Sequence, residues 1–223
     1  AQLQNGNWTS LVGSFTLPAG HYQYLELQIA ASGSGTDSYL TLNDGTQHAL
    51  VLGPTGTQGL RARYLTDGFD IKADTTEMFT IDFDMRKSVL DPTPPSTAYV
   101  LEPSMRMVKD DTVGNIIGTV SPALIGTGCT PVVYTYAGSV SNPTDLDSSA
   151  PASTQPVSES PVKLNTNTGS YEFTAAYLPA GTYTLALTCE AAADNPAQAD
   201  AISFEFTGTV PATQGETNRV SLN

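Results

Sequence analysis

Leu17-Pro18-Ala19-Gly20-His21-Tyr22 and Leu178-Pro179-Ala180-Gly181-Thr182-Tyr183 are one phrase written twice, about 160 residues apart. In each copy the proline fixes one φ angle and the glycine is expected to supply the permissive one, so the pair reads as a tight turn. The tyrosine then opens a segment of alternating polarity. A turn-and-strand phrase repeated at this distance predicts two β-sandwich domains in tandem.

Outward from the first copy, period-two runs cover Leu11–Phe15, Tyr22–Ile29, Tyr39–Leu42, His48–Leu52, Gly68–Ile71, Met78–Met85 and Ala98–Val108. Turn residues separate them, and Asn43-Asp44-Gly45 between two runs is a hairpin signal. In Met78–Met85, Phe79, Ile81, Phe83 and Met85 fall on one face, and Thr80, Asp82 and Asp84 on the other. Asp110-Asp111-Thr112 marks the boundary, giving domains 1–112 and 113–223. A second series follows: Asn115–Val120, Pro131–Tyr136, Val162–Asn165, Tyr171–Thr174, Tyr183–Cys189, Ile202–Phe206 and Asn218–Leu222. Residues 138–161, rich in Ser, Pro, Thr and Ala, read as a long mobile loop. The fold class is all-β, with two tandem Ig-like or transthyretin-like sandwiches.

Composition agrees. The chain has 223 residues, 14% of them charged, with 19 Gly and 15 Pro. This is the make-up of a turn-rich extracellular β protein, with room for a core in each half. The net charge of −13 leaves no basic patch to neutralise phosphates, which argues against nucleic acid. It also argues against direct binding to anionic membranes. No apolar run is long enough to span a bilayer. No signal peptide or lipid-bearing Cys opens the sequence, so the reading expects a mature or trimmed chain, with any lipid anchor upstream. Cys129 and Cys189, the only two cysteines, are read as a disulfide of an exported protein. Cys189 shares strand parity with Tyr183, Leu185 and Leu187 and should face the core.

The inventory is thin for catalysis. His21 and His48 are the only histidines, and neither a GxSxG nor an HExxH motif occurs. The expectation is no enzyme activity and no cofactor. Asp82 and Asp84, on one strand face, are the candidate calcium ligands, with Asp37, Asp44 or Asp70 as helpers. The competing and preferred reading pairs them with Arg86, Lys87 or Arg106. Trp8, Tyr22, Tyr24, Tyr134 and Tyr136 form a candidate sugar-stacking set, set against a structural role as cross-strand pairs. Lys163 with Asn218 or Asn223, assisted by Glu172 or Glu205, is a candidate cross-link, set against a solvated lysine.

Two resemblances add to this. Gly118-Thr119-Val120, Val132–Tyr136, Asn167–Phe173, Leu178–Tyr183 and Arg219–Leu222 resemble carboxypeptidase-regulatory-like, or transthyretin-like, β-sandwich modules, which implies a non-catalytic spacer or binding platform. Leu17–Leu27, Pro54–Leu60, Ile81–Ser88 and Tyr99–Pro103 resemble the bacterial envelope family called domain of unknown function 4382, over residues 10–120. That implies export in a Gram-negative type of cell, with predicted lipoproteins among the relatives and no known activity. Such domains begin with a further stretch upstream of Ala1. Without it the sandwich would expose an edge that another chain could fill by strand addition. The sequence therefore predicts a structural or interaction protein of the envelope or cell surface, with a subunit of a surface assembly or filament joined by strand addition as one form of it. A carbohydrate- or calcium-binding module is the alternative.

Overall fold

The computed structural model describes residues 14, 16–27, 38–42, 44–53, 68–147 and 149–223, and the backbone alone of 60–64. The run Leu11–Phe15, Trp8 and the expected open edge near the start lie outside these residues, apart from Ser14. Two compact units emerge, one spanning Leu17–Val108 and the other built on Lys109–Asn223. Both are all-β.

The first unit contains β1 (Gly20–Tyr22), β2 (Leu25–Leu27), β3 (Tyr39–Thr41), β4 (Gln47–Leu52), β5 (Leu60–Tyr64) and β6 (Phe69–Ile71). It continues with β7 (Phe79–Phe83), helix α1 (Met85–Ser88), β8 (Val89–Leu90), β9 (Tyr99–Leu101) and β10 (Met105–Lys109). Among the described residues three sheets form, in the orders β1-β6, β2-β5-β10-β7 and β3-β4-β9-β8. The β3–β4 hairpin turns where Asn43-Asp44-Gly45 predicts it. Gly45 takes φ +86°, and the Asp44 carboxylate accepts bonds from the Thr46 N–H and hydroxyl. Phe69 and Met107 are the buried centre, with Tyr22, Leu25, Ile71, Phe79 and Ile81 packed around them.

Several expected runs are interrupted. Tyr22–Ile29 contains only β2 beyond Tyr22 within the described residues. Ala98–Val108 breaks at 102–104 into β9 and β10, where Pro103 has no N–H to give a ladder. Met78–Met85 stops at Phe83, because Asp84 caps α1, its Oδ1 accepting the Lys87 N–H at 3.1 Å. Met85 therefore leaves the apolar face and is exposed.

The second unit holds β11 (Val113–Val120), β12 (Val132–Ala137), β13 (Ser158–Pro161) and β14 (Lys163–Asn165). It is completed by β15 (Ser170–Pro179), β16 (Gly181–Thr188), β17 (Phe206–Ala212) and β18 (Thr217–Leu222). They form two four-stranded sheets, β14-β15-β11-β18 and β13-β12-β16-β17. Ile116, Val133, Phe173, Leu178, Leu185, Leu187 and Leu222 fill the space between the sheets, each contributing about 1.5–3 kcal/mol by burial. The core is tight at Gly118, where a Cβ would lie 2.3 Å from the Phe173 ring. The chain changes sheet at buried Val162, between β13 and β14, and again in the turn between β17 and β18. The final strand of the Ile202–Phe206 expectation starts only at Phe206.

The repeated phrase has a structural counterpart, but not through its glycines. Neither Gly20 nor Gly181 adopts a positive φ. In the second copy Ala180 is the corner at which the chain leaves β15 for β16 in the opposite sheet. What the copies share is the tyrosine. The Tyr22 hydroxyl donates to the Pro18 carbonyl at 2.9 Å, and the Tyr183 hydroxyl to the Pro179 carbonyl at 2.7 Å. A tyrosine closing onto the backbone a few residues upstream pins a sandwich corner.

Residues 138–161 are not the loose loop expected. They include β13, which pairs antiparallel with β12, and they bury Asp145, Leu146, Asp147 and Gln155. The segment is held down because Thr184, on the outer side of β16, bonds it twice. Its hydroxyl accepts the Val140 N–H at 2.8 Å and donates to the Gly138 carbonyl at 2.9 Å.

Candidate metal centre

The outer face of the β12–β16 pair is buried like an inner one. Tyr134, Tyr136 and Ala186 stand on it, and Leu146, Val140, Ala191, Ile202 and Phe204 from the flanking loops cover it. This is why β12 is buried at five consecutive positions. It also removes Tyr134 and Tyr136 from any sugar-stacking platform, since both rings are inaccessible. Tyr22 stacks on Phe69 with centroids 5.5 Å apart, leaving Tyr24 as the exposed member of the described set.

Beneath that cover, carboxylates of two loops meet. Asp145 comes from the loop after β12, and Asp194 and Asp200 from the loop after β16. One oxygen of each lies within 4.8 Å of the others. Asp145 and Asp194 are buried, at 7% and 6% exposure, while Asp200 is partly open. Tyr134 donates its hydroxyl to Asp194 Oδ2, which also accepts the Leu146 N–H at 3.3 Å. The Asp200 N–H donates to Asp145 Oδ2. Asp200 in turn accepts the Asn195 N–H at 2.6 Å and the Gln198 amide at 3.0 Å, bonds that hold its carboxyl below the usual range. The carboxylates thus staple one loop to the other.

The electrostatics are one-sided. Burial, followed by the charges of Glu159, Asp194 and Asp145, pushes the Tyr136 hydroxyl far above its ordinary pKa. Residues 113–223 carry two cations, Lys163 and Arg219, and both lie on strands of the other sheet. Three carboxylate oxygens this close together suit a hard divalent cation such as calcium.

The predicted pair sits elsewhere. Asp82 is engaged by Arg106, with Nη2 at 2.6 Å and Nε at 2.8 Å. Asp84 caps α1 and meets Lys87 Nζ at 3.4 Å. Each has a cation of the chain, and they are not among the converging carboxylates. Asp70 faces His21 at 2.9 Å, and Asp44 is bonded to Thr46. The sequence did not single out Asp145, Asp194 and Asp200. The one signal available is the concentration of acids in the loops after β12 and β16 in a half with two cations.

Cys129 and Cys189 are joined, and both are half-buried; the Cys189 sulfur lies 3.6 Å from the carbonyl of Leu124, a residue packed against the core. The Thr130 N–H donates to the Cys189 carbonyl at 3.2 Å beside the bond. Of the cross-link candidates, Asn218 is bonded to Thr213, Glu205 accepts the Cys189 N–H, and Glu172 accepts Asn165 and Thr168. Lys163 stands exposed on the outer side of β14.

No curated protein matches the chain. Among solved structures it is similar to GBS52, the minor pilin of the gram-positive pathogen Streptococcus agalactiae, at 14% identity over 92% of this chain and 82% of that one. The TM-score of 0.26 is too low for that likeness to bear on function. Residues 1–103 match the family model described as Domain of unknown function (DUF4382).

Proposed function

We propose that the chain is a non-catalytic, exported protein of the cell envelope or outer surface. It works by structural contacts with other proteins, further copies of itself included, through sheet edges and loops. The disulfide carries this reading. Cys129 and Cys189 are the only cysteines, and they are bonded to each other in a small all-β unit, as in proteins that live in oxidising compartments. A carboxypeptidase-regulatory-like module in the second half and an upstream lipid anchor belong to the same reading. The test is cell fractionation combined with protease treatment of intact cells. Recovery in the envelope or outside the cell supports the proposal, and a soluble cytoplasmic pool with two reduced thiols overturns it.

A second reading has its own observation. The Asp145–Asp194–Asp200 cluster lies on loops over a sheet without lysine or arginine, which favours calcium binding as part of how the two loops are held. Titration calorimetry with calcium against magnesium tests it, and absence of heat at millimolar calcium removes it.

A further inference from the structure

The second unit is electrically polar across its thickness. On the outer face of the β14-β15-β11-β18 sheet, the register aligns Lys163, Glu172, Thr119 and Ser221 in one row, and Thr174, Ile117 and Arg219 in the next. A shallow groove of about 590 Å³ runs over these rows. It contains both cations that residues 113–223 possess, against one acid, Glu172. Lys163 and Arg219 stand on the two edge strands, three strand spacings and one row apart, about 16 Å at the backbone, so their long side chains flank a floor of Ile117 and Thr119.

The opposite face has the reverse sign. The loops over the β13-β12-β16-β17 sheet carry Asp145, Asp147, Glu190, Asp194, Asp200 and Glu205, and β13 adds Glu159, with no lysine or arginine among them. Glu190 and Glu205 are exposed and Asp200 is partly so. Hydrogen bonds from the Ser203 N–H and hydroxyl hold the Glu190 carboxyl below its ordinary value. Seven of the nine acids in residues 113–223 therefore lie on one side, and both cations of that stretch on the other.

The geometry points to head-to-tail association of copies of this chain, in which the Lys163–Arg219 groove of one second unit receives the Glu190–Asp200–Glu205 face of the next. It rests on the assembly reading above and names the surfaces that reading leaves open. The occupant follows from charge complementarity within the unit. Because the two faces differ, the contact is heterologous, and unless rotation closes a ring it propagates as an open chain. The net charge of −13 repels whole molecules at low salt. At about 0.15 M salt that repulsion is screened beyond about 8 Å, while groups in contact still attract.

The test uses the full chain and K163E/R219E, with sedimentation velocity at about 0.15 M and about 1 M salt and circular dichroism to verify folding. Wild type should associate with concentration at the lower salt and dissociate at the higher, and the double variant should stay monomeric. The variant keeps its acidic face, so added in small amounts it should end wild-type chains and reduce their mean size several-fold. Wild type that is monomeric throughout overturns both this inference and the assembly reading. Assembly that persists unchanged in the folded double variant overturns this inference alone.

Discussion

Breaking the Cys129–Cys189 bond frees two positions 60 residues apart in sequence. Closing a loop of that size removes unfolded-state entropy worth about 4 kcal/mol. Domain stabilities are about 5–15 kcal/mol, so the loss is a large fraction of the second unit's reserve. The location argues for a full effect. Cys189 follows directly on β16, and the Thr130–Glu190 bridge lies alongside, two residues before the β12–β16 register starts at Val132 and Thr188. The bond therefore ties the segment entering β12 to the end of β16, where Leu187 reaches the core. For a unit of roughly 110 residues, 4 kcal/mol corresponds to a fall in melting temperature of about 15 °C. Differential scanning calorimetry with and without reductant measures it, and hydrogen exchange should place the lost protection in β12 and β16. A fall of less than about 5 °C would refute the loop-closure argument, because the unfolded chain would then gain little freedom.

Three further outcomes follow from the same structure. Tyr183→Phe should cost about 1 kcal/mol by losing its bond to the Pro179 carbonyl, whereas Gly181→Ala should be neutral or slightly stabilising, since its Cβ would meet nothing closer than 3.8 Å; urea unfolding of both variants checks this, and a costly Gly181→Ala would restore the glycine reading. Calcium at about 100 times its dissociation constant should stabilise the second unit by about 2.7 kcal/mol, and D194N should abolish that thermal shift while magnesium produces little. Glu172, Glu190 and Asp200 are held below their unfolded values by hydrogen bonds; the folded state then binds fewer protons, so their contribution is complete above about pH 4.5 and declines as pH falls through the lowered values, and a melting temperature that rose on acidification from about pH 5 to 3 would contradict it.

The sequence makes the strands legible wherever one face is wet. Tyr171–Thr174 and Asn218–Leu222 alternate because their outer residues reach solvent, and both are strands, the first extended to Pro179. The hairpin at Gly45 is local turn chemistry and reads directly. The twin corners are found for a partly mistaken reason: proline and glycine draw the eye, while the bond is made by a tyrosine hydroxyl that no propensity registers. The 138–161 segment is unreadable because its order is not local. It is held by Thr184 of β16 and by a carboxylate, Asp145, that binds the Asp200 N–H 55 residues away. The acidic cluster is hidden for the same reason. Each aspartate alone looks like a solvated loop residue, and only the folding of two loops over β12 and β16 brings them together. Asp82 and Asp84 mislead in the opposite way. Strand parity places them on one face, but the strand ends between them and gives each a different cation.

Negative-stain microscopy with light scattering on the protein taken from its native source tests the central claim most directly. Regular oligomers or filaments are the predicted result, with subunits in repeating contact. A uniform monomer of the sequence mass, at every concentration and salt tried, would contradict a structural protein that works by joining copies of itself.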